Sequence, residues 1–359
     1  MKRLTVLIAT ITLLIATSHV SSEALTLKGQ TYTKYPIVLV PGVFSWDNIL
    51  GMDINYFYKI EEALEESAYS LSLSSGLTYQ RTHFIALNPW QSTEERAADL
   101  KNQLDTFMAK YNYSKVNIIA HSHGTTTSRL AIRWMVQESK AENRPNPIAS
   151  FTSIAGPHFG VPAADYYMGL NDTQQQVLSG LLDLAGDFIS VVSGLFNFVG
   201  DSNSDAVFYD FSQPVITQFN MDYPSEGLPT GAGAYGEGGT REGAYAGNGL
   251  GVAMSTDNPE AILYYSWTGN IGNGWATAFD LTDPIMFVTN FMNLSYGFDG
   301  DADGFIPVAS SHFGKVINDN YFWSHIDEIN QFVGIVNPGA ADPVAVFRAH
   351  ANRLQKANR

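Results

Sequence analysis

A serine flanked by small residues is the first feature of this sequence that could do chemistry. The segment Ala120-His121-Ser122-His123-Gly124 places a small residue two positions before and two positions after Ser122. A serine becomes an accessible nucleophile at a tight turn between a strand and a helix, and that turn leaves room only for small neighbours. Gly is usual at the first position, and Ala120 adds a single methyl group. The pattern predicts a nucleophilic serine, with a turn serine or helix N-cap as the alternative.

A nucleophilic serine requires a histidine as general base and a carboxylate that orients it. Where the serine lies at a strand-to-helix turn, the acid and then the histidine follow it along the chain. His123 lies within the turn, where backbone donation is its expected role, and His158 comes too early. His350 lies in a polar C-terminal helix, where we expect it on the surface. Two candidates for the base remain, His312 and His325.

Four aspartates could supply the orienting acid by their order in the chain: Asp283, Asp299, Asp301 and Asp303. The residues alone favour Asp303 only weakly, because it lies in a predicted tight turn before the strand-like segment FIPVA. The last three aspartates also resemble the start of an EF-hand calcium loop. Ser310 stands at the twelfth position, where such a loop needs a bidentate glutamate. We therefore interpret this segment as a turn.

The elements around Ser122 follow from hydrophobic patterns. Short apolar runs predict buried strands at residues 36–40, 116–120, 150–155 and 262–267. Apolar residues at helical spacing predict helices over 93–110, with Ser92 or Thr93 as N-cap, and over 126–138. Ser122 thus lies between a predicted strand and a predicted helix. Strands that alternate with helices predict an α/β fold, in which a parallel sheet is covered on both faces.

The composition limits the classes of protein and partner. Hydrophobic residues make up 45% of the 359 residues and charged residues 15%, which is typical of a globular protein. The sequence has no cysteine, so stability depends on a buried core, with or without a metal ion. The formal net charge of −15 disfavours nucleic acid and anionic membranes as partners.

Residues 1–24 are predicted to be a secretory signal peptide. Lys2 and Arg3 precede an apolar run, residues 4–16, which is too short to span a bilayer. We expect cleavage after Ser22 or Ala24, export through the periplasm and an extracellular protein without a stable membrane anchor. A retained membrane anchor is the alternative. Residues 25–359 are predicted to form a single domain.

Six ordered blocks resemble a known family, the Pseudomonas-type secreted triacylglycerol lipases of bacteria. The blocks are YPIVLVPGVFSWDNILGMDINYF (35–57), VNIIAHSHG (116–124), TSIAGPHFG (152–160), YYSWTG (264–269), DADGFIPVASSHFGKVI (301–317) and HIDEINQFVG (325–334). The resemblance covers nearly the whole chain after the predicted signal peptide. It implies the α/β-hydrolase fold, with a mostly parallel central sheet, helices on both faces and a helical lid.

The resemblance also implies roles for particular residues. By position, Ser122 matches the nucleophile, Asp303 the acid and His325 the base. The backbone N–H groups of Val43 and His123 match the two donors of the oxyanion hole. Two preorganised donors of this kind contribute about 3 kcal/mol each to transition-state stabilisation.

The resemblance further implies one structural calcium ion near the active-site loops. Asp283 and Asp327 match its carboxylate ligands, and Gln331 and Ile335 match the positions that donate main-chain carbonyls. Oxygen ligands of this kind suit Ca²⁺. Because Asp327 follows His325 by two residues, a bound ion would hold the histidine loop. The alternative is that Asp327 caps a helix and Asp283 belongs to a turn.

Residues 174–199, an unusually apolar amphipathic segment, match the lid of the family. A lid that covers the site in water and opens at an oil surface would explain that composition, and an ordinary core helix is the alternative. The sequence departs from the family at Pro41, where a histidine is usual, and in residues 231–258, which are longer than their counterpart. Members that need a dedicated foldase generally carry a disulfide. Because this chain has no cysteine, the resemblance does not decide whether it needs a lipase-specific foldase as a partner.

The sequence therefore predicts a secreted serine ester hydrolase that acts on lipid esters at an oil–water interface, specifically a triacylglycerol lipase. The alternatives on the same scaffold are a short-chain carboxylesterase, a phospholipase or a polyester depolymerase, because the fold does not choose the acyl substrate. A non-catalytic secreted binding protein is a remote alternative, since all three groups of the proposed triad are present.

Overall fold

The computed structural model describes residues 26–43, 55–73, 76–79, 81–89, 91–178, 204–229, 261–272, 283–298 and 300–359. The predicted signal peptide, most of the predicted lid and the segment 231–258 lie outside the described residues.

The strands are β1 (Thr26–Lys28), β2 (Ile37–Val40), β3 (Tyr69–Ser72), β4 (Gly76–Tyr79), β5 (Thr82–Phe84), β6 (Val116–His121), β7 (Ile148–Ile154), β8 (Leu263–Gly269) and β9 (Lys315–Tyr321). Six of them form a central sheet in the order β5-β2-β6-β7-β8-β9, and every neighbouring pair is parallel. The four predicted strands correspond to β2, β6, β7 and β8. The predicted α/β class is confirmed.

The helices are α1 (Ile60–Glu66), α2 (Thr93–Tyr111), α3 (His123–Ala141), α4 (Pro162–Met168), α5 (172–178), α6 (Ser204–Phe211), α7 (Gln213–Asp222), α8 (Asp283–Ser295) and α9 (Pro343–Lys356). Ser92, rather than Thr93, is the N-cap of α2. The Ser92 hydroxyl accepts from the Glu95 amide, and the Glu95 carboxylate accepts from the Ser92 amide, a capping box worth about 1 kcal/mol. None of the described helices is long and apolar enough to cross a membrane.

The central sheet is buried on both faces. Val38 and Val40 of β2 pack with apolar residues of α2 and α3, whereas Ile37 and Leu39 pack with residues of α1 and α9. Successive side chains of a strand point to opposite faces, so a fully apolar strand requires a helical layer on each side. These two layers fix the positions of the strand ends from which the functional loops leave.

The strand content differs from the predictions. The segment FIPVA is not a strand: Ala302 and Pro307 form an isolated bridge, and residues from Val308 to Ser311 form a 3₁₀ turn. A second sheet, antiparallel and in the order β1-β3-β4, was not predicted. Its side chains are largely exposed, so its segments lack the clear alternation of apolar and polar residues that marks a half-buried strand.

The predicted surface position of His350 is wrong. His350 is fully buried in α9, and its Nε2 lies 2.8 Å from Thr152 Oγ1 of β7. Phe347, Ala351 and Leu354 are buried on the same helix, and helical spacing places His350 on their face. The polar residue type suggested exposure, but a hydrogen-bond partner in the sheet makes burial acceptable.

Candidate active site

Ser122 occupies the turn between β6 and α3 in a strained backbone conformation, with φ 54° and ψ −129°. Small residues make the turn possible. A Cβ on Gly42 would lie 2.6 Å from Ser122 Cβ, and one on Gly124 would lie 2.6 Å from Pro41 O. Ala120 is fully buried in the core between sheet and helices, so the methyl group that replaces the usual glycine is accommodated. The serine thus lies at the carboxyl end of a central strand and at a helix N-terminus.

A continuous chain of hydrogen bonds runs from Ser122 through His325 to Asp303. His325 Nε2 lies 3.0 Å from Ser122 Oγ, and His325 Nδ1 lies 2.7 Å from Asp303 Oδ2. Because an ionised carboxylate can only accept, Nδ1 carries the proton and Nε2 accepts from the serine hydroxyl. This is the geometry that acyl transfer requires of a serine nucleophile, a histidine base and an orienting carboxylate.

The other candidate histidine, His312, lies on the loop that leads into β9. Its Nε2 is 3.2 Å from Oδ2 of Asp319, a residue of β9. The residues alone had left His312 and His325 open as the base. The structure brings only His325, which lies between β9 and the 3₁₀ turn from Asp327 to Ile329, to hydrogen-bond distance of Ser122.

Asp303 is held rigidly by its own turn. It is fully buried, and its Oδ1 accepts from the amides of Phe305 (2.9 Å) and Ile306 (2.7 Å). The amide of His325 donates to Asp303 O at 2.8 Å, so these two residues are also joined through the main chain. Each carboxylate oxygen of Asp303 has an N–H partner, which supports the interpretation of this segment as a turn rather than a calcium loop.

The predicted oxyanion donors are Val43 and His123. Val43 follows Gly42, which packs against Ser122, and His123 follows Ser122 directly. Among the described residues, the backbone amides of Val43 and His123 donate to no protein acceptor. His123 is the first residue of α3, where free amides and the helix dipole favour negative charge. The imidazole of His123 is engaged elsewhere, because its Nε2 lies 2.9 Å from Thr93 Oγ1. Neither amide is therefore engaged by a described residue.

Arg96 is a residue that the sequence analysis missed. This fully buried guanidinium of α2 donates to the carbonyl oxygens of Pro41 (2.7 Å) and Gly42 (3.1 Å), in the turn that leads to Val43. Burial lowers its pKa to about 10, so it stays protonated at neutral pH. Arg96, Leu100 and Leu104 are buried at spacings of four residues, and this periodicity could have identified an arginine that points inward.

The predicted calcium ligands are described only in part. Asp327 is buried, and its Oδ2 accepts from the Ser324 amide at 2.8 Å. The main-chain oxygens of Gln331 and Ile335 accept no hydrogen bond from another described residue. Asp283 begins α8, and its side chain lies outside the described residues. In the described part of the chain, no three histidine, aspartate or glutamate side chains are placed to hold a metal ion together. The predicted calcium site has two carboxylates and two main-chain carbonyls, so it does not require a cluster of three charged groups. The contacts of Asp327, Gln331 and Ile335 are compatible with it.

Residues 90–180, which include α2, the Ser122 turn and α3, match the family model described as "Putative serine esterase (DUF676)". Over 340 residues the chain is 34% identical to a triacylglycerol lipase of Vibrio cholerae, and the alignment covers 94% of this chain and 93% of that one. The chain belongs to the bacterial triacylglycerol lipase family. A triacylglycerol lipase of Burkholderia plantarii is 28% identical over 337 residues, which cover 90% of this lipase-family chain and 86% of the relative.

The fold of this lipase-family protein agrees with that assignment. The mature form of the Bacillus licheniformis lipase BlEst2 is similar in structure, with a TM-score of 0.50 at 14% identity, and the similarity covers 90% of this chain and 93% of that one. The α/β-hydrolase fold predicted from the sequence is confirmed. Family and fold together make the protein a lipid ester hydrolase.

Proposed function

We propose that this enzyme hydrolyses triacylglycerol esters by two-step acyl transfer, with Ser122 as nucleophile, His325 as general base and Asp303 as the orienting acid. The observation that carries the proposal is the unbroken hydrogen-bond chain through these three buried side chains. The backbone amides of Val43 and His123 are the proposed oxyanion donors.

In the first step, Ser122 Oγ attacks the ester carbonyl while His325 Nε2 takes the serine proton. Asp303 stabilises the imidazolium that forms, and the two backbone amides stabilise the oxyanion. His325 then gives the proton to the departing alcohol, leaving an acyl group on Ser122. In the second step, water attacks the acyl-enzyme with His325 as base, which releases the fatty acid and restores the serine.

An exposed apolar stripe supports a lipid substrate rather than a small soluble ester. Phe287, Phe291 and Leu294 lie at helical spacing on α8 and are 46%, 56% and 43% exposed. The opposite side of α8 contacts the acid's turn, because Thr289 Oγ1 donates to Gly304 O at 2.8 Å. Adjacent exposed apolar side chains mark surfaces that bind lipid or protein. The relatives are named as triacylglycerol lipases, and this stripe suits the same substrate class.

We expect the rate on a triglyceride to rise steeply once the substrate exceeds its solubility and forms an emulsion. An oil surface both concentrates the substrate and favours the open form of the proposed lid, residues 174–199. The measurement is fatty-acid release across the solubility limit. A short-chain carboxylesterase would instead show a smooth saturation curve through that limit and prefer soluble esters. Release of fatty acid from phospholipid at a higher rate would favour the phospholipase alternative.

We also propose one structural Ca²⁺ bound by the carboxylates of Asp283 and Asp327 and the carbonyl oxygens of Gln331 and Ile335. The contacts of Asp327 and the two unclaimed carbonyl oxygens support this assignment. The ion would supply electrostatic stabilisation to the loop that carries His325, and no chemical step passes through it.

Removal of calcium should destabilise the fold. If the ion is present at about a hundred times its dissociation constant, a chelator should lower the melting temperature by about 5 °C. Asp327→Ala should melt lower than wild type and should no longer respond to chelator. Asp319→Ala, which changes a carboxylate outside the proposed site, should keep the response. A wild-type melting temperature that is unchanged by chelator would contradict the calcium proposal.

The proposed location is extracellular, reached through the periplasm after removal of residues 1–24 as a signal peptide. The basic start and the short apolar run of this segment support the proposal. The mass of the protein recovered from the culture medium tests it, because cleavage after Ser22 or Ala24 predicts a mature chain that begins at residue 23 or 25.

A further inference from the structure

A second buried chain of hydrogen bonds joins the three segments that carry the proposed catalytic groups. The Gly42 amide donates to Tyr56 Oη at 3.1 Å, and Tyr56 Oη lies 2.7 Å from His121 Nδ1. His121 Nε2 lies 2.9 Å from His325 O. Gly42 precedes Val43, His121 precedes Ser122, and the last acceptor belongs to the proposed base itself. The chain therefore connects the oxyanion turn, the nucleophile turn and the histidine loop.

The direction of each hydrogen bond follows from the chemistry of the groups. A carbonyl oxygen only accepts, so His121 Nε2 carries the proton and donates to His325 O. His121 Nδ1 then has a free lone pair and accepts from the Tyr56 hydroxyl. The Tyr56 oxygen in turn accepts from the Gly42 amide. All four groups use compatible donors and acceptors, so one tautomer of His121 satisfies the whole chain.

Burial keeps this chain in a single protonation state. His121 and Tyr56 are almost completely buried, at 0% and 1% exposure. Burial lowers the pKa of His121 well below its ordinary value and raises that of Tyr56, so both side chains are neutral at the pH of ester hydrolysis. Glu328 Oε2 lies 3.8 Å from His121 Nε2, which is too far for a hydrogen bond, and His325 O is therefore the partner of that nitrogen.

We propose that Tyr56 and His121 are positioning residues, which hold the oxyanion turn and the histidine loop in their working geometry around Ser122. The inference rests on the proposed function, because it assigns these two residues to the same reaction. Neither side chain donates to or accepts from Ser122 Oγ, so their effect passes through the main chain at Gly42 and His325. Gly42 lies so close that a Cβ there would be 2.9 Å from Tyr56 Oη, which shows how tightly this contact is packed.

Loss of the Tyr56 hydroxyl should leave the Gly42 amide and His121 Nδ1 without partners in a buried site. The turn before Val43 would then be free to shift, and the proposed oxyanion donors would no longer be preorganised. Removal of an oxyanion donor itself lowers kcat by about a hundredfold to a thousandfold. For the loss of its support we expect a smaller effect, about tenfold in kcat.

The test is Tyr56→Phe, which removes one oxygen and keeps the ring that packs against Phe57. Tyr265→Phe is the matched control, because it removes a buried phenol hydroxyl from β8, where the ring packs against His350, away from the proposed site. Hydrolysis of a soluble p-nitrophenyl ester is measured below its solubility limit. Rates are divided by the concentration of active sites, titrated with a fluorophosphonate, and melting temperatures are recorded.

We expect Tyr56→Phe to lower kcat about tenfold with KM within about twofold, measured at a temperature well below the melting temperatures of both variants. A kcat within about twofold of the control would overturn the proposal. So would a loss that disappears after active-site titration or that only follows a lower melting temperature, because either result means a purely structural role.

A second variant tests the connection itself. His121→Gln keeps an N–H donor for His325 O, so it should retain more activity than His121→Leu, which has none. The double variant Tyr56→Phe/His121→Gln should have a kcat no lower than that of the worse single variant, because both changes break the same hydrogen bond between Tyr56 and His121. Fully additive losses would overturn the proposal. If the His121 variants do not fold, Tyr56→Phe alone decides. Full activity of Ser122→Ala would instead reject the proposed function, whatever the Tyr56 result.

Discussion

Ser122→Ala is expected to abolish ester hydrolysis and leave the fold intact. The substitution removes the only atom that forms the acyl bond, and a loss of about a millionfold in kcat is typical for such a serine. The fold should survive because the turn depends on small neighbours and on the backbone of Gly42 and Gly124, not on the hydroxyl. The measurement is fatty-acid release from an emulsified long-chain triglyceride in the presence of calcium, together with circular dichroism.

Ser128→Ala is the matched control for this variant. Ser128 lies six residues further on, in α3, fully buried and with a hydroxyl that has no hydrogen-bond partner among the described residues. Its replacement removes the same hydroxyl oxygen from the helix that follows the Ser122 turn but should leave the rate unchanged. Residual activity of Ser122→Ala above about a thousandth of wild type would contradict the assignment of the nucleophile. If wild type releases fatty acid only from a soluble short-chain ester, the substrate class is wrong and the mechanism stands.

Asp303→Asn is expected to lower kcat about ten-thousandfold, equivalent to about 5 kcal/mol of transition-state stabilisation. The new amide group can donate to His325 Nδ1, which forces the imidazole proton onto Nε2. That nitrogen then no longer accepts the serine proton. The fold should persist, because the remaining carbonyl oxygen can still accept from the amides of Phe305 and Ile306. Kinetics on a soluble ester and the melting temperature check both parts.

Asp319→Asn provides the control for Asp303→Asn, because Asp319 also lies beside a histidine, His312, but away from Ser122. We expect wild-type kinetics from it. Equal losses in the two variants would mean that the acid had been assigned wrongly. A loss in Asp303→Asn smaller than about a hundredfold would mean that another carboxylate can orient His325, and Glu328, which is buried close to His121, would be the first to examine.

The strand, turn and helix around Ser122 were predictable because they depend on neighbouring residues. The apolar run 116–120 and the helical periodicity after it are local patterns, and β6 and α3 follow them. The helix predicted over residues 126–138 was too short, since α3 extends from His123 to Ala141. It begins at His123 rather than at residue 126, because Thr125 to Thr127 are polar by type but buried in the structure. A pattern of hydrophobic residues cannot register polar residues that bury themselves through hydrogen bonds.

The choice of the base illustrates what local patterns cannot decide. Residue types and order left both His312 and His325 open, and the resemblance to a family, not the spacing, favoured His325. The hydrogen bond between Ser122 and His325 joins residues 203 positions apart. Such proximity depends on the order in which β6, β7, β8 and β9 pair in the sheet, and no segment of the sequence encodes that order by itself.

The burial of certain polar residues also could not be predicted from local patterns, because its free-energy cost depends on distant partners. Arg96, Tyr56 and His350 carry polar groups that sequence patterns place at the surface or leave unassigned, yet all three are almost fully buried. Each is buried because the fold supplies it with a partner distant in sequence: Pro41 O, His121 Nδ1 and Thr152 Oγ1. The sequence by itself determined the strands β2, β6, β7 and β8, the helices α2 and α3 and the nucleophile turn, which arise from local periodicity and sterics. Only the tertiary structure decided which polar groups meet, because the cost of burying them is offset only after distant segments have packed together.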